Sequence, residues 1–144
     1  MFSTILSATL QGLQVNFVEV EADVSNGLPM FHLVGYLSSE VKEAGERVRA
    51  AIRNSGFILP PKKVVINLSP ANMKKKGSVF DLAIAIAVLT ALEEIPKQKV
   101  QDILFVGELS LDGSVKGVRG ILPIVAAAYR QGYKCCVVPE ENCR

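Results

Sequence analysis

From Val79 to Leu92 every residue except Asp81 and Thr90 is apolar. A helix with no polar face has to be enclosed on all sides. At 1.5 Å per residue this run reaches about 21 Å, short of the ~30 Å hydrocarbon core of a bilayer, so it predicts a central helix buried in a globular domain. Ser78 and Asp81 have the Ser-x-x-acid spacing of a capping box, which predicts a helix start near Ser78. Lys74, Lys75 and Lys76 crowd the turn before it, because the helix offers charge no exposed face.

A chain of 144 residues with 49% hydrophobic and 21% charged residues can bury a core without staples and reads as one domain, 1–144. The opening Met1-Phe-Ser-Thr-Ile-Leu6 lacks the basic and long apolar regions of a signal peptide, and the expected setting is cytoplasmic, with no membrane partner. Cys135 and Cys136 are adjacent in an expected strand, so they point to opposite faces and cannot share a metal; Cys143 stands alone. His32, the single histidine, has no ligand set around it. No metal site is expected.

Net charge is +2, but it is unevenly spread. Arg47, Arg49, Arg53, Lys62, Lys63, Lys74, Lys75 and Lys76 fall between Arg47 and Phe80 with no acidic residue among them, so this segment carries +8 and the remainder −6. Such asymmetry suits contact with phosphate or with an acidic partner.

Taken in order, Phe2–Leu10 and Leu13–Val24 read as strands joined by a tight hairpin at Gln11-Gly12. Val18, Val20, Ala22 and Val24 share one face of the second and Glu19, Glu21 and Asp23 the other, a wet outer face rather than a cation site. Met30–Gly35 reads as a third strand. Ser38 or Ser39 opens an amphipathic helix closed by Gly56, with Glu43 and Arg47 at pairing distance i, i+4. Val64–Leu68 is continuous enough for an interior strand. After the central helix, Ile103–Leu111 and Ser114–Val118 form a hairpin about Asp112-Gly113, a helix runs from Gly120 or Pro123 to Gln131, and Tyr133–Val138 is the last strand. The class is α+β with a mixed sheet.

Phosphate-loop, dinucleotide-binding, paired-cysteine, zinc-protease and nucleophile-elbow motifs are absent from the sequence. Lys76-Gly77-Ser78 lacks the upstream glycine that would let it wrap a triphosphate and remains an anion-contact candidate.

The segments Glu40–Phe57, Val65–Asn72, Lys76–Ala85 and Gly107–Lys116, in that order, resemble the N-terminal domain of the magnesium chelatase-like AAA+ ATPases of the YifB/ComM type, over essentially the whole chain. The resemblance implies a fold similar to the proteolytic domain of Lon and to domain two of a ribosomal small-subunit protein. It also implies an AAA+ motor downstream, absent from these 144 residues, which would bring ATP and magnesium and hexameric assembly, and for ComM-type members ATP-driven branch migration of DNA. Setting Lon's Gly-Pro-Ser-Ala-Gly nucleophile segment against Gly77–Asp81 places Val79 at the serine; setting its Gly-Gly-Leu-Lys against Arg119–Leu122 places Leu122 at the lysine. Neither side chain can attack or accept a proton. The expectation is therefore a domain with no catalytic residue that engages its own motor, other copies of itself and DNA, with Arg49, Arg53, Lys62, Lys63, Lys74, Lys75 and Lys76 as candidate phosphate contacts. The alternatives are a Lon-class peptidase with a displaced dyad of Ser78 and Lys116 or a loop lysine, and a purely structural ring-assembly module.

Overall fold

The computed structural model describes residues 1–143. Strands β1 (Phe2–Gln11) and β2 (Gln14–Ser25) pair antiparallel from Phe2↔Asp23 to Gln11↔Gln14. Gly12, at φ +62°, opens the two-residue connection. Strands β3 (Met30–Val34), β4 (Lys63–Ser69), β5 (Ile103–Phe105) and β8 (Cys135–Val137) complete a six-stranded mixed sheet in the order β3-β4-β2-β1-β5-β8. β4 is interior, as its apolar continuity requires, parallel to β3 and antiparallel to β2. A separate two-stranded ribbon joins β6 (Glu108–Leu109) to β7 (Val115–Lys116).

Among the described residues four α-helices accompany the sheet: α1 (Ser39–Lys42), α2 (Ala44–Asn54), α3 (Asp81–Ala91) and α4 (Ile121–Gln131). The apolar run is α3, enclosed as its composition demands: Ala83, Ile84, Ala87 and Val88 have no exposed surface. It lies across β1 and β2 on the face bearing Ile5, Val18 and Val20, with α2 packed alongside. Small residues bring the helix close, so the Ser3 hydroxyl of β1 donates to the Ala87 carbonyl at 2.6 Å. α4 packs near Val15 and Phe17, which by strand alternation belong to the opposite face; Phe17 meets Tyr133 edge-on at 5.5 Å. Glu19 and Asp23 are exposed there and Glu21 accepts from the Asn67 amide at 2.8 Å, as befits a wet face.

Three local expectations change. The capping box does not form: α3 begins at Asp81, the preceding cap position is Phe80, and Ser78 and Asp81 each serve a different partner. The helix opening at Ser38 is interrupted at Glu43, which ends α1 and precedes α2, and the expected Glu43–Arg47 pair gives way to Arg47 with Asp81. A buried carboxylate needs a cation more than an exposed one does. The expected Ile103–Leu111 strand breaks between Phe105 and Glu108, because Gly107 turns onto the head of α3, its N–H donating to the Val79 carbonyl at 3.0 Å and its carbonyl accepting from Leu82 at 3.1 Å.

Candidate nucleic-acid interface

The loop between β4 and α3 is extended at Lys74–Lys76, and in an extended segment neighbouring side chains point to opposite sides. Lys74 and Lys76 are exposed and Lys75 is completely buried. The Lys75 ammonium donates to the Gly35 carbonyl at 2.6 Å and to that of Pro70, while its backbone bridges to the β3–α1 connection: its N–H donates to Tyr36 at 3.0 Å and its carbonyl accepts from Ser38 at 2.9 Å. Burial lowers its pKa below the ordinary lysine value. Lys75 is thus a structural cation, and the expectation that it meets phosphate is corrected. The period of two was the available signal.

Of the remaining candidates, Arg49 and Lys62 line one cleft beside Phe31 and Leu59, away from Lys74 and Lys76. Arg49 pairs with Glu46, donates to the Gly45 carbonyl at 3.3 Å and lies 5.3 Å over the Phe31 ring. Arg53 is exposed in the last turn of α2. Lys62 reaches Asn26 at 3.4 Å and Lys63 starts β4. Along that strand, at about 3.3 Å per residue, roughly 20 Å separates Lys63 from the loop that carries Lys74 and Lys76. The run that is contiguous in sequence is not one patch.

Lys76 instead lines a cleft of about 440 Å³ at the head of α3, with Thr9 and Leu10 of β1, Glu40 of α1, Gly77–Val79, and Gly117–Arg119. The cleft continues past Gln11 and Gly12 to Lys74, whose carbonyl accepts from the Gln11 amide at 2.9 Å. Arg119, exposed at the opposite wall, is a cation that the charge run could not reveal, since only the return of the chain after β7 brings it there. Lys74, Lys76 and Arg119 rim a pocket floored in part by hydrocarbon.

The positions resembling a serine–lysine dyad are Val79, nearly buried in this cleft, and Leu122, 79% exposed on α4. The Ser78 hydroxyl donates to the Glu108 carboxylate, and Glu108 stands opposite Lys116 in the β6–β7 ribbon. Beneath them Asp81, 1% exposed, accepts from Arg47 Nε at 2.7 Å, Arg47 Nη2 at 3.0 Å and the Leu109 N–H at 3.1 Å; Arg47 also donates to the Glu40 carbonyl at 3.2 Å. Burial raises the Asp81 pKa while Arg47 and Leu109 oppose it, and the hydrogen bond to Asp81 raises that of Arg47. Burial outweighs these donors, and the Asp81 carboxyl stays above its ordinary value. Among the described residues no group of three or more His, Cys, Asp or Glu could hold a metal, and no helix is long and apolar enough to cross a membrane.

Residues 20–142 match the family model described as subunit ChlI of Mg-chelatase. The chain belongs to this family. The ChlI match runs from β2 past β8, so it includes the lysine loop, all of α3 and the Arg119 wall, while Thr9 and Leu10 precede it. Among curated ChlI-like relatives, an uncharacterised protein of Mycobacterium bovis is 46% identical over 136 residues, 94% of this chain and 27% of its own length. Competence protein ComM of Haemophilus influenzae is 40% identical over 126 residues (88% and 25%), and YifB of Escherichia coli 42% over 131 (91% and 26%). The chain thus spans about a quarter of the length of these relatives. More distantly, the Lon protease of Trichlorobacter lovleyi is 29% identical over 132 residues, 87% of this chain and 16% of its own.

Proposed function

We propose that this chain is the non-catalytic N-terminal domain of a larger Mg-chelatase-like AAA+ ATPase, with a Lon-like fold, which assembles with copies of itself and engages DNA through the cleft at the head of α3. The observation that carries the reading is the cleft itself: Val79 occupies the place that the Lon likeness assigns to a nucleophile, Lys76 and Arg119 line the same cleft, and Lys74 stands in its continuation. A site with hydrocarbon where a nucleophile would stand, and with three cations to one carboxylate, Glu40, along its edge, suits holding a phosphate backbone better than attacking a peptide. Of the original candidates, Lys74 and Lys76 are retained as phosphate contacts and Arg119 joins them, while Arg49 and Lys62 share a separate cleft and Arg53 and Lys63 stand outside both.

The chain covers about a quarter of its curated relatives, which supports a longer protein in which an AAA+ motor binds ATP and magnesium, forms a ring, a hexamer by the likeness, and works in the cytoplasm. The relative's name, competence protein, and the ComM likeness support ATP-driven DNA branch migration as the motor's work. Fluorescence anisotropy with labelled DNA tests the domain's share. Three phosphate contacts give a slope of log affinity against log salt of about −2 to −3, and reversing Lys74, Lys76 and Arg119 to glutamate abolishes binding while leaving thermal unfolding unchanged. Binding indifferent to salt, or retained by the reversed variant, removes DNA from the reading.

A further inference from the structure

We infer that Tyr36 is a stacking platform for the bases of a single-stranded nucleic acid whose phosphates lie along Lys74 and Lys76. This rests on the phosphate-contact reading above and narrows its ligand.

Tyr36 is 57% exposed and holds φ +62°, a left-handed conformation that a bulky residue seldom adopts and that persists only where the surroundings over-determine it. Here they do. Gly35 before it, at φ +121°, presses so closely on β4 that an added Cβ would lie 2.2 Å from the Leu68 carbonyl oxygen. Leu37 after it is buried, and the Tyr36 carbonyl itself is held by the Lys75 N–H. The backbone cost is therefore met in order to hold an aromatic ring outside the core. The Lys74 ammonium of the basic loop lies over one face of that ring, 6.0 Å from its centroid.

A cation over one face of a ring that is more than half exposed sets a phosphate contact beside a base contact, the two parts of one nucleotide. Every base has a face to stack, so such a platform is tolerant of sequence, and it is available only to strands whose bases are not already stacked in a duplex. The ligand class is single-stranded DNA or RNA.

The test is anisotropy of a labelled oligothymidylate and of a duplex of equal length, with wild type, Tyr36→Phe, Tyr36→Gly and, as a control, Tyr129→Ala, whose tyrosine is 84% exposed on α4. Glycine adopts φ +62° without strain, so Tyr36→Gly removes the ring while keeping the turn. Loss of the platform weakens oligothymidylate binding about tenfold. Tyr36→Phe and Tyr129→Ala stay near wild type, duplex affinity does not move, and the salt slope is kept. If wild type binds oligothymidylate and Tyr36→Gly binds it equally well, or weakens the duplex to the same extent, the platform is overturned while the phosphate reading stands. If wild type binds neither nucleic acid, both fall.

Discussion

Arg47 and Asp81 form a bidentate ion pair, 2.7 and 3.0 Å, that fastens α2 to the first turn of α3 directly beneath the cleft. The carboxylate is almost wholly buried while the guanidinium keeps some access to water. Removing one partner of such a pair leaves the other uncompensated. Arg47→Met is expected to cost about 3 kcal/mol in urea unfolding, and the double variant Arg47→Met with Asp81→Leu less than Arg47→Met alone. A double-variant loss equal to the sum of the Arg47→Met and Asp81→Leu losses would show that the two do not act together.

Lys75 and Lys74 are neighbours in sequence with opposite surroundings, and their substitution should separate accordingly. Lys74→Ala is expected to stay within about 0.5 kcal/mol of wild type. Lys75→Ala, which strands the Gly35 and Pro70 carbonyls, should cost about 2 kcal/mol or more.

The depressed pKa of Lys75 also fixes a sign with pH. Between the folded value and the ordinary one of 10.5, the unfolded chain binds more protons than the folded one, so this group's contribution to stability rises as pH rises through that interval. Urea midpoints of wild type measured relative to Lys75→Met should therefore increase on the approach to pH 10.5 from below. A relative decrease contradicts the burial of the ammonium.

Gly35→Ala places a methyl group against the Leu68 carbonyl, which is backbone in an interior strand and cannot move aside. The expected loss is at least ~2 kcal/mol by thermal unfolding, with nucleic-acid binding impaired through displacement of Tyr36. Gly56→Ala is the comparison: its φ is also positive, but an added Cβ meets nothing within 4 Å, so its cost is conformational alone and smaller.

Ser78 bears on the peptidase alternative. Its hydroxyl donates to Glu108, and Val79 is the residue that the Lon likeness places at the nucleophile. A serine-reactive phosphonate is expected to leave Ser78 unlabelled by mass spectrometry. Stoichiometric labelling that disappears in Lys116→Met would restore a displaced dyad.

Much of this architecture was legible because its signals are local. The hairpin, read at Gln11-Gly12 and found one residue on at Gly12-Leu13, the alternation of Val18, Val20, Ala22 and Val24, and the enclosure of Ile84 and its neighbours each follow from a spacing of one to four residues. Where reading failed, a distant partner outbid a near one. Asp81 spends its oxygens on Arg47 and Leu109 rather than on a cap, and Gly107 leaves its strand to bind Val79 and Leu82. The same holds for the site. Charge counting found Lys74 and Lys76 but joined them to Lys62 and Lys63, which β4 carries to its other end, and it passed over Arg119, which the sheet's connectivity brings across.

The buried ammonium of Lys75 has a last implication, for kinetics. By clamping Gly35 and Pro70 it sets the outward lysines and the Tyr36 ring in place, so that under the proposed function a visiting strand would surrender only its own freedom on landing. On that proposal, recognition at this edge would be tuned by how flexible the visitor is.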